Sequence, residues 1–182
     1  LHPRVRRQRQ MCIRDRSLTV IQHRGQDAAG MATLEDGKLH VRKQIGLVRE
    51  VFRAQHIKNL KGKMGIGHVR YPTAGGVTRE FSQPLYVNSP YGISICHNGN
   101  LVNSKELTQE LYENDLRHLN TDSDSEVILN IFANEMQKIN SQSPSPEEIF
   151  SAVEKMHLRL KGAYSVVLMI SGVGLLAIRD PN

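Results

Sequence analysis

Three pairs of short apolar segments, each pair joined by a turn of a few residues, limit the folds open to this 182-residue chain. Strands joined by tight turns run antiparallel, because a parallel pair needs a crossover of a dozen or more residues. Asp36-Gly37, which lies between two alternating segments, is a strong signal for such a turn. The pattern predicts hairpins over residues 28–33 with 39–43, 85–88 with 93–97, and 163–170 with 175–178.

Three helices are predicted after the second hairpin, and each begins at a capping residue with a glutamate three positions later. The second of them is predicted to bury one face only, and Gly162 is predicted to end the third. Residues 17–22, 64–69 and 72–83 are predicted to form a short helix, a strand and a loop. Because the strands pair in hairpins and the helices are grouped apart, the chain is predicted to be an α+β layered domain. The capping pairs are Asn103 with Glu106, Ser123 with Glu126, and Ser145 with Glu148.

The net charge of +6 is concentrated at one end of the chain. Residues 1–16 contain six arginines and one aspartate, so this segment carries +5 and residues 17–182 carry only +1. An arginine-rich arm can bind phosphate backbones by releasing counterions, but a nearly neutral domain gives no such signal. The sequence therefore predicts no nucleic-acid partner for the domain.

The two cysteines and the apolar runs indicate the compartment. Cys12 and Cys96 cannot build a disulfide framework, and they lack the spacing of a zinc site. No apolar run approaches the roughly 20 residues that a membrane span needs, and no signal peptide is evident. We therefore expect a cytoplasmic protein with no membrane contact and no metal site.

Four polar clusters stand out, and each has an ordinary structural interpretation as well as a functional one. Asn98-Gly99 could be only a type I′ turn, and Asp124 could simply complement a helix N-terminus. Arg70 could form a surface ion pair, and His97 could be a core histidine. Residues 122–126 suggest a calcium loop, but the glycine and the final glutamate that such a loop requires are missing. The clusters are residues 22–26, 67–73, 97–100 and 122–126.

The order and spacing of all four clusters point to a known family. Residues 22–30, 65–75, 88–101 and 123–126 closely resemble the glutaminase domain of the bacterial amidophosphoribosyltransferase family. The resemblance runs from about residue 17 to residue 182. It implies the N-terminal-nucleophile hydrolase fold, with four layers in the order α-β-β-α.

The resemblance also implies roles for individual residues in glutamine binding. Arg70 would pair with the α-carboxylate through its planar guanidinium, and Asp124 would hold the α-ammonium group. The Asn98 side chain and the Gly99 backbone N–H would form the oxyanion hole for the attacked amide.

Four further residues receive supporting roles from the same resemblance. Tyr71 and Thr73 would line the glutamine pocket beside the arginine. His23 and Arg24 would brace the loop that covers this pocket.

The nucleophile of the resembled family is a cysteine at the mature N-terminus, and no cysteine here takes that position. Cys12 lies 11 residues before His23 in a basic segment, so the catalytic role is not assigned to it. Cys96 and His97 are neighbours on a predicted strand and point to opposite faces, so they do not form a dyad. Residues 1–16 are interpreted as an unmatched segment and residues 17–182 as a partial type 2 glutamine amidotransferase domain, incomplete at both ends and inactive by itself.

The resemblance predicts a function in purine biosynthesis. The parent protein would hydrolyse glutamine and use the ammonia to convert phosphoribosyl pyrophosphate to phosphoribosylamine. That transfer, with the Mg²⁺ expected for it, would take place in a phosphoribosyltransferase domain beyond residue 182, and the full-length enzyme would be a homo-oligomer. The alternative is a non-catalytic glutamine-binding module that uses residues 1–16 as a basic docking arm.

Overall fold

The computed structural model describes residues 16–71 and 79–181. These residues fall into two compact units, the first within Leu1–Pro84 and the second within Leu85–Asn182. No helix in the described ranges combines the length and the apolar character that a bilayer crossing requires.

The first unit contains a three-stranded antiparallel sheet in the order β2-β1-β3. Its strands are β1 (Ala28–Glu35), β2 (Lys38–Ile45) and β3 (Met64–Arg70). Asp36 and Gly37 have φ values of 49° and 76°, the positive values of a type I′ turn. Both the predicted hairpin and the predicted third strand are confirmed.

Two short helices of the first unit were not predicted, α1 (Val48–Val51) and α2 (Ala54–Asn59). Neither N-cap makes a side-chain hydrogen bond, and neither helix is long enough to show a 3.6-residue period. Burial against the sheet holds α1, since Val48 and Val51 pack with Met31 of β1 in one apolar cluster, and α2 adds only the partly buried Ile57 to that cluster. Residues 16–20 are helical, as predicted, and Leu18 joins the same cluster.

The predicted loop at residues 72–83 is described only in part, because residues 72–78 lie outside the described ranges. Arg79–Phe81 is a single 3₁₀ turn. The Lys43 side chain of β2 donates to the backbone oxygen of Ser82 over 2.7 Å, which ties this turn to the sheet.

The second unit contains a four-stranded antiparallel sheet in the order β4-β5-β6-β7. Both predicted hairpins are confirmed, but the second strand is longer than predicted. It continues through Asn98 and Gly99, which pair with Ser165 and Tyr164 of the next strand. The interpretation of Asn98-Gly99 as a turn is therefore wrong. The strands are β4 (Leu85–Val87), β5 (Ile93–Leu101), β6 (Gly162–Ile170) and β7 (Gly174–Arg179).

The three helices of this unit are α3 (Ser104–Glu113), α4 (Asp124–Gln137) and α5 (Pro146–Arg159). Of these, α4 packs on the sheet and the other two pack on α4. The prediction of a polar face on α4 is wrong, because every residue from 125 to 136 is buried. The helix contacts β4, β5, α3 and α5, so protein surrounds it on all sides. Its polar residues are accordingly enclosed in the core.

The capping predictions are partly correct. Ser145 accepts from the Glu148 backbone N–H at 3.3 Å, and Glu148 accepts from the Ser145 N–H at 2.8 Å, which confirms that capping box. Asn103 makes no cap bond, because its side chain donates to the Arg159 carbonyl and accepts from the Lys161 N–H.

Two further details of the helix ends differ from prediction. The α4 helix is capped by Ser123, but Glu126 binds residues 120 and 121 instead of reaching back to the cap. Gly162 does not end α5, because that helix stops at Arg159 and Gly162 opens β6.

Two contacts attach the start of α4 to β5. The Asp124 carboxylate accepts from the Leu101 backbone N–H at 2.7 Å, and Ser125 Oγ lies 2.9 Å from His97 Nδ1. His97 is buried, and burial lowers its pKa to about 4, against the opposing effect of the Asp124 charge. The imidazole is therefore neutral at physiological pH.

Replacing Ser145 by alanine should lower the free energy of unfolding by about 1 kcal/mol, because the N–H of Glu148 loses its acceptor. Urea denaturation measures the change. Ser151→Ala, an exposed position within α5, is the matched control and should leave stability unchanged or slightly higher. Equal stability of the two variants would contradict the assigned cap.

Acid should destabilise the chain partly through His97. An unfolded histidine titrates near pH 6.5, so between about pH 6.5 and 4 the unfolded state binds the additional proton. The free energy of unfolding should fall as the pH drops through this window, by up to about 1.4 kcal/mol per pH unit. In urea titrations a His97→Gln variant should show a shallower fall than wild type, whereas His118→Gln, at an exposed position, should not.

Candidate functional site

The end of β5 presents three exposed residues between two buried ones. His97 and Leu101 are buried, whereas the intervening residues 98–100 are exposed. The two buried residues hold the strand in its sheet, and the exposed stretch offers its side chains and backbone to a ligand. This stretch contains both residues assigned to the oxyanion hole, Asn98 and Gly99.

Gly99 is required by the geometry of this strand. Its φ is +138°, and a Cβ atom would lie 2.2 Å from the Ala163 carbonyl oxygen and 2.6 Å from the Tyr164 Cα. Any side chain would push β5 away from β6. The glycine thus allows the close approach of two backbones at the point where the oxyanion hole is predicted.

The residue behind Gly99 is firmly held. Tyr164 is buried, its hydroxyl lies 2.6 Å from His157 Nδ1, and its backbone N–H donates to Asp180 at 3.0 Å. Burial, followed by the charge of Asp180, raises the pKa of Tyr164 to about 12. The support for the exposed stretch is therefore an ordered hydrogen-bonded cluster, and no feature of the sequence indicated it.

Asp124 lies beside the same stretch. Its carboxylate accepts from the Leu101 N–H, and Leu101 lies two residues along the strand from Gly99, about 7 Å by the strand rise. The second unit therefore brings together Asn98, Gly99 and Asp124, three of the predicted site residues. The negatively charged Asp124 carboxylate therefore lies beside the exposed residues 98–100.

Cys96 and His97, the neighbouring pair on β5, do not supply a nucleophile and its base. Cys96 is buried, and burial raises the pKa of its thiol far above the ordinary range. Since the thiolate is the reactive form, this cysteine is unsuited to attack.

Arg70, the fourth predicted site residue, is the last residue of β3 in the first unit. Its guanidinium donates to Asp27 over 2.9 Å, and the two side chains are only 9% and 11% exposed. The Phe81 ring centroid lies 5.5 Å from the guanidinium carbon. The ion pair and the ring hold the guanidinium in one orientation.

Asp27 is a site residue that sequence reasoning missed. It directly precedes β1, and its backbone N–H donates to the Arg70 carbonyl at 3.0 Å. The sequence contained a usable signal. If the first strand of the hairpin pairs antiparallel with the strand over residues 64–69, the start of the hairpin strand lies beside the end of the other strand. That pairing was not predicted.

Gln22 braces the loop before β1. The Gln22 side chain accepts from the Val48 N–H at 2.6 Å and donates to the Gly25 carbonyl. His23 and Arg24, which were predicted to brace it, are both exposed.

The structure gives less information about the remaining predicted site residues, Tyr71 and Thr73. Tyr71 follows β3 and is 69% exposed. Thr73, predicted to line the pocket, and Cys12 both lie outside the described residues, as do residues 1–15. Within ranges 16–71 and 79–181, no three histidine, cysteine, aspartate or glutamate side chains are arranged to hold a metal ion. The described part of the chain thus offers no fit for Mg²⁺.

The chain is similar to known glutamine amidotransferases. Residues 77–181 match the glutamine amidotransferase domain family. The amidophosphoribosyltransferase of Pseudomonas aeruginosa is 57% identical over 166 residues, which cover 91% of this chain and 33% of the relative. The chain therefore spans about one third of the length of the curated relatives it matches.

Two solved structures share the fold. One, described as the allosteric regulatory enzyme of purine biosynthesis, has a TM-score of 0.75 and 36% identity over 91% of this chain and 34% of its own. The other is glutamine phosphoribosylpyrophosphate amidotransferase from B. subtilis in complex with ADP and GMP. It has a TM-score of 0.72 and 32% identity over 91% of this chain and 34% of its own. These structures confirm the predicted α+β class and N-terminal-nucleophile hydrolase fold. The chain belongs to the glutamine amidotransferase domain family.

Proposed function

We propose that this chain is the glutaminase part of an amidophosphoribosyltransferase. In this proposal, glutamine is hydrolysed to glutamate and ammonia, and the ammonia displaces pyrophosphate from phosphoribosyl pyrophosphate to give phosphoribosylamine. The observation that carries the proposal is the 57% identity, over 91% of the chain, to the Pseudomonas aeruginosa amidophosphoribosyltransferase.

Arg70 and Asp124 would select free glutamine by its two charged groups. A guanidinium matches a carboxylate in a planar, two-bond arrangement, and Asp27 holds that of Arg70 in a fixed orientation. The Asp124 carboxylate would bind the α-ammonium group. The Leu101 N–H holds this carboxylate in place at the start of α4.

Asn98 and Gly99 would stabilise the charge that develops during attack. The thiolate of an N-terminal cysteine, which the resemblance places outside residues 17–182, adds to the amide carbon, and the carbonyl oxygen becomes negative in the tetrahedral intermediate. Protonation of the nitrogen then expels ammonia and leaves a thioester, which water hydrolyses to glutamate. The pairing of β5 with β6 holds the exposed end of β5 in place. This supports the proposal that Asn98 and Gly99 donate to this oxygen from fixed positions.

The second half of the reaction belongs to the additional length of the relatives. Phosphoribosyl pyrophosphate and the Mg²⁺ expected to accompany it are assigned to that length, because this chain matches only about one third of the relatives. Assembly of the full-length protein into a homo-oligomer and a cytoplasmic location are parts of the same proposal.

Arg70→Lys in the full-length protein should raise the KM for glutamine by more than tenfold, because an ammonium cannot form the paired contacts of a guanidinium. Glutamate release and phosphoribosylamine formation measure glutamine use. Activity with added ammonium chloride should be unchanged, because free ammonia bypasses glutamine binding.

Arg49→Gln, at an exposed arginine of α1, is the matched control and should behave as wild type. Wild-type glutamine kinetics in Arg70→Lys would remove Arg70 from the site. Failure of the unmodified full-length protein to release glutamate from glutamine would contradict the proposed function itself.

A further inference from the structure

Glu126 is a buried carboxylate that the proposed chemistry does not use directly. It is 8% exposed and lies two residues after Asp124, in the first turn of α4. Burying a charge is costly unless hydrogen bonds compensate it, so the contacts of this side chain indicate its role.

The Glu126 carboxylate binds two consecutive loop residues. One oxygen accepts from the Asn120 backbone N–H and side-chain amide at 2.9 and 3.2 Å. The other accepts from the Thr121 backbone N–H and hydroxyl at 2.8 and 2.7 Å. Four bonds to one carboxylate hold the loop firmly, because bonds to charged groups are about twice as strong as neutral ones.

The same loop is connected to the helix start by a second set of bonds. The Thr121 hydroxyl accepts from the Ser123 N–H at 3.2 Å, and the Ser123 hydroxyl accepts from the Ser125 N–H at 3.3 Å. Glu126 therefore determines the path by which the chain reaches Asp124.

Asp124 lies between this loop and β5. On the β5 side its carboxylate is held by the Leu101 N–H, and the adjacent Ser125 contacts His97. On the loop side its position depends on Glu126. Loss of either restraint would let the carboxylate move, and displacements of about 1 Å suffice to weaken a catalytic contact strongly.

We propose that Glu126 is a positioning residue for recognition of the α-ammonium group of glutamine, acting through Asp124. This role rests on the proposed function, in which Asp124 binds that ammonium group. Glu126 does not touch the substrate. Its loss should therefore weaken only ligands that carry the ammonium group.

The test compares two ligands in the full-length protein: glutamine and 4-carbamoylbutanoate, which is glutamine without its α-amino group. Glu126→Gln keeps the size of the side chain but replaces one acceptor oxygen with a donor. In glutamate-release assays, the KM for glutamine should rise about tenfold, within the range of couplings between contacting residues. The inhibition constant of 4-carbamoylbutanoate against glutamine should stay within about twofold of wild type.

Thr121→Val provides a second, milder variant that leaves the charge unchanged. It removes one donor to Glu126 and the acceptor of the Ser123 N–H, so glutamine affinity should fall by about threefold and 4-carbamoylbutanoate affinity should not change. If Glu126→Gln does not fold, this variant decides the question by itself. Unchanged glutamine affinity in Thr121→Val would overturn the positioning role.

Two controls separate charge and stability from positioning. Glu154→Gln removes the same charge at an exposed position of α5, and Ser145→Ala weakens the same unit through its cap. Neither should change glutamine affinity. Equal weakening of both ligands in Glu126→Gln, or of neither, would overturn the positioning role, whereas absence of glutamine binding in wild type would instead overturn the proposed function.

Discussion

The hydrogen bond between the Asp124 carboxylate and the Leu101 backbone N–H is the contact on which the candidate site depends. It joins the first residue of a helix that is buried from residue 125 to residue 136 to the last residue of a strand whose preceding three residues are exposed. This bond holds the start of α4 against the end of β5, so the Asp124 carboxylate and the β5 backbone keep fixed relative positions.

The residues around this contact hold the candidate site residues in place. His97 is buried and neutral and contacts Ser125 on the α4 side, while Gly99 permits β6 to lie directly behind the exposed stretch. Arg70 is held in a comparable way in the first unit, where Asp27 fixes its guanidinium. In each unit, residues assigned to glutamine recognition are oriented by buried partners, which suits preorganised binding.

Local patterns predicted the strands and the principal helices well, because Asp36-Gly37 and the Ser145 capping box are signals contained within a few residues. The errors have one physical cause, which is long-range contact. Asn98-Gly99 continues a strand because β6 pairs with it, and Asn103 leaves its capping role because the end of α5 offers it two partners. The resemblance assigned roles to Arg70, Asn98, Gly99 and Asp124, whereas Asp27, Gln22 and Glu126 act through tertiary contacts that no local pattern contains.

Hydrogen-exchange mass spectrometry of the full-length protein, with and without glutamine, tests the central claim most directly. The account predicts that glutamine slows exchange in peptides covering residues 97–101 and 120–126, while a peptide from α5 is unaffected. Slower exchange confined to other parts of the protein, with these two segments unchanged, would contradict a glutamine site at the junction of β5 and α4.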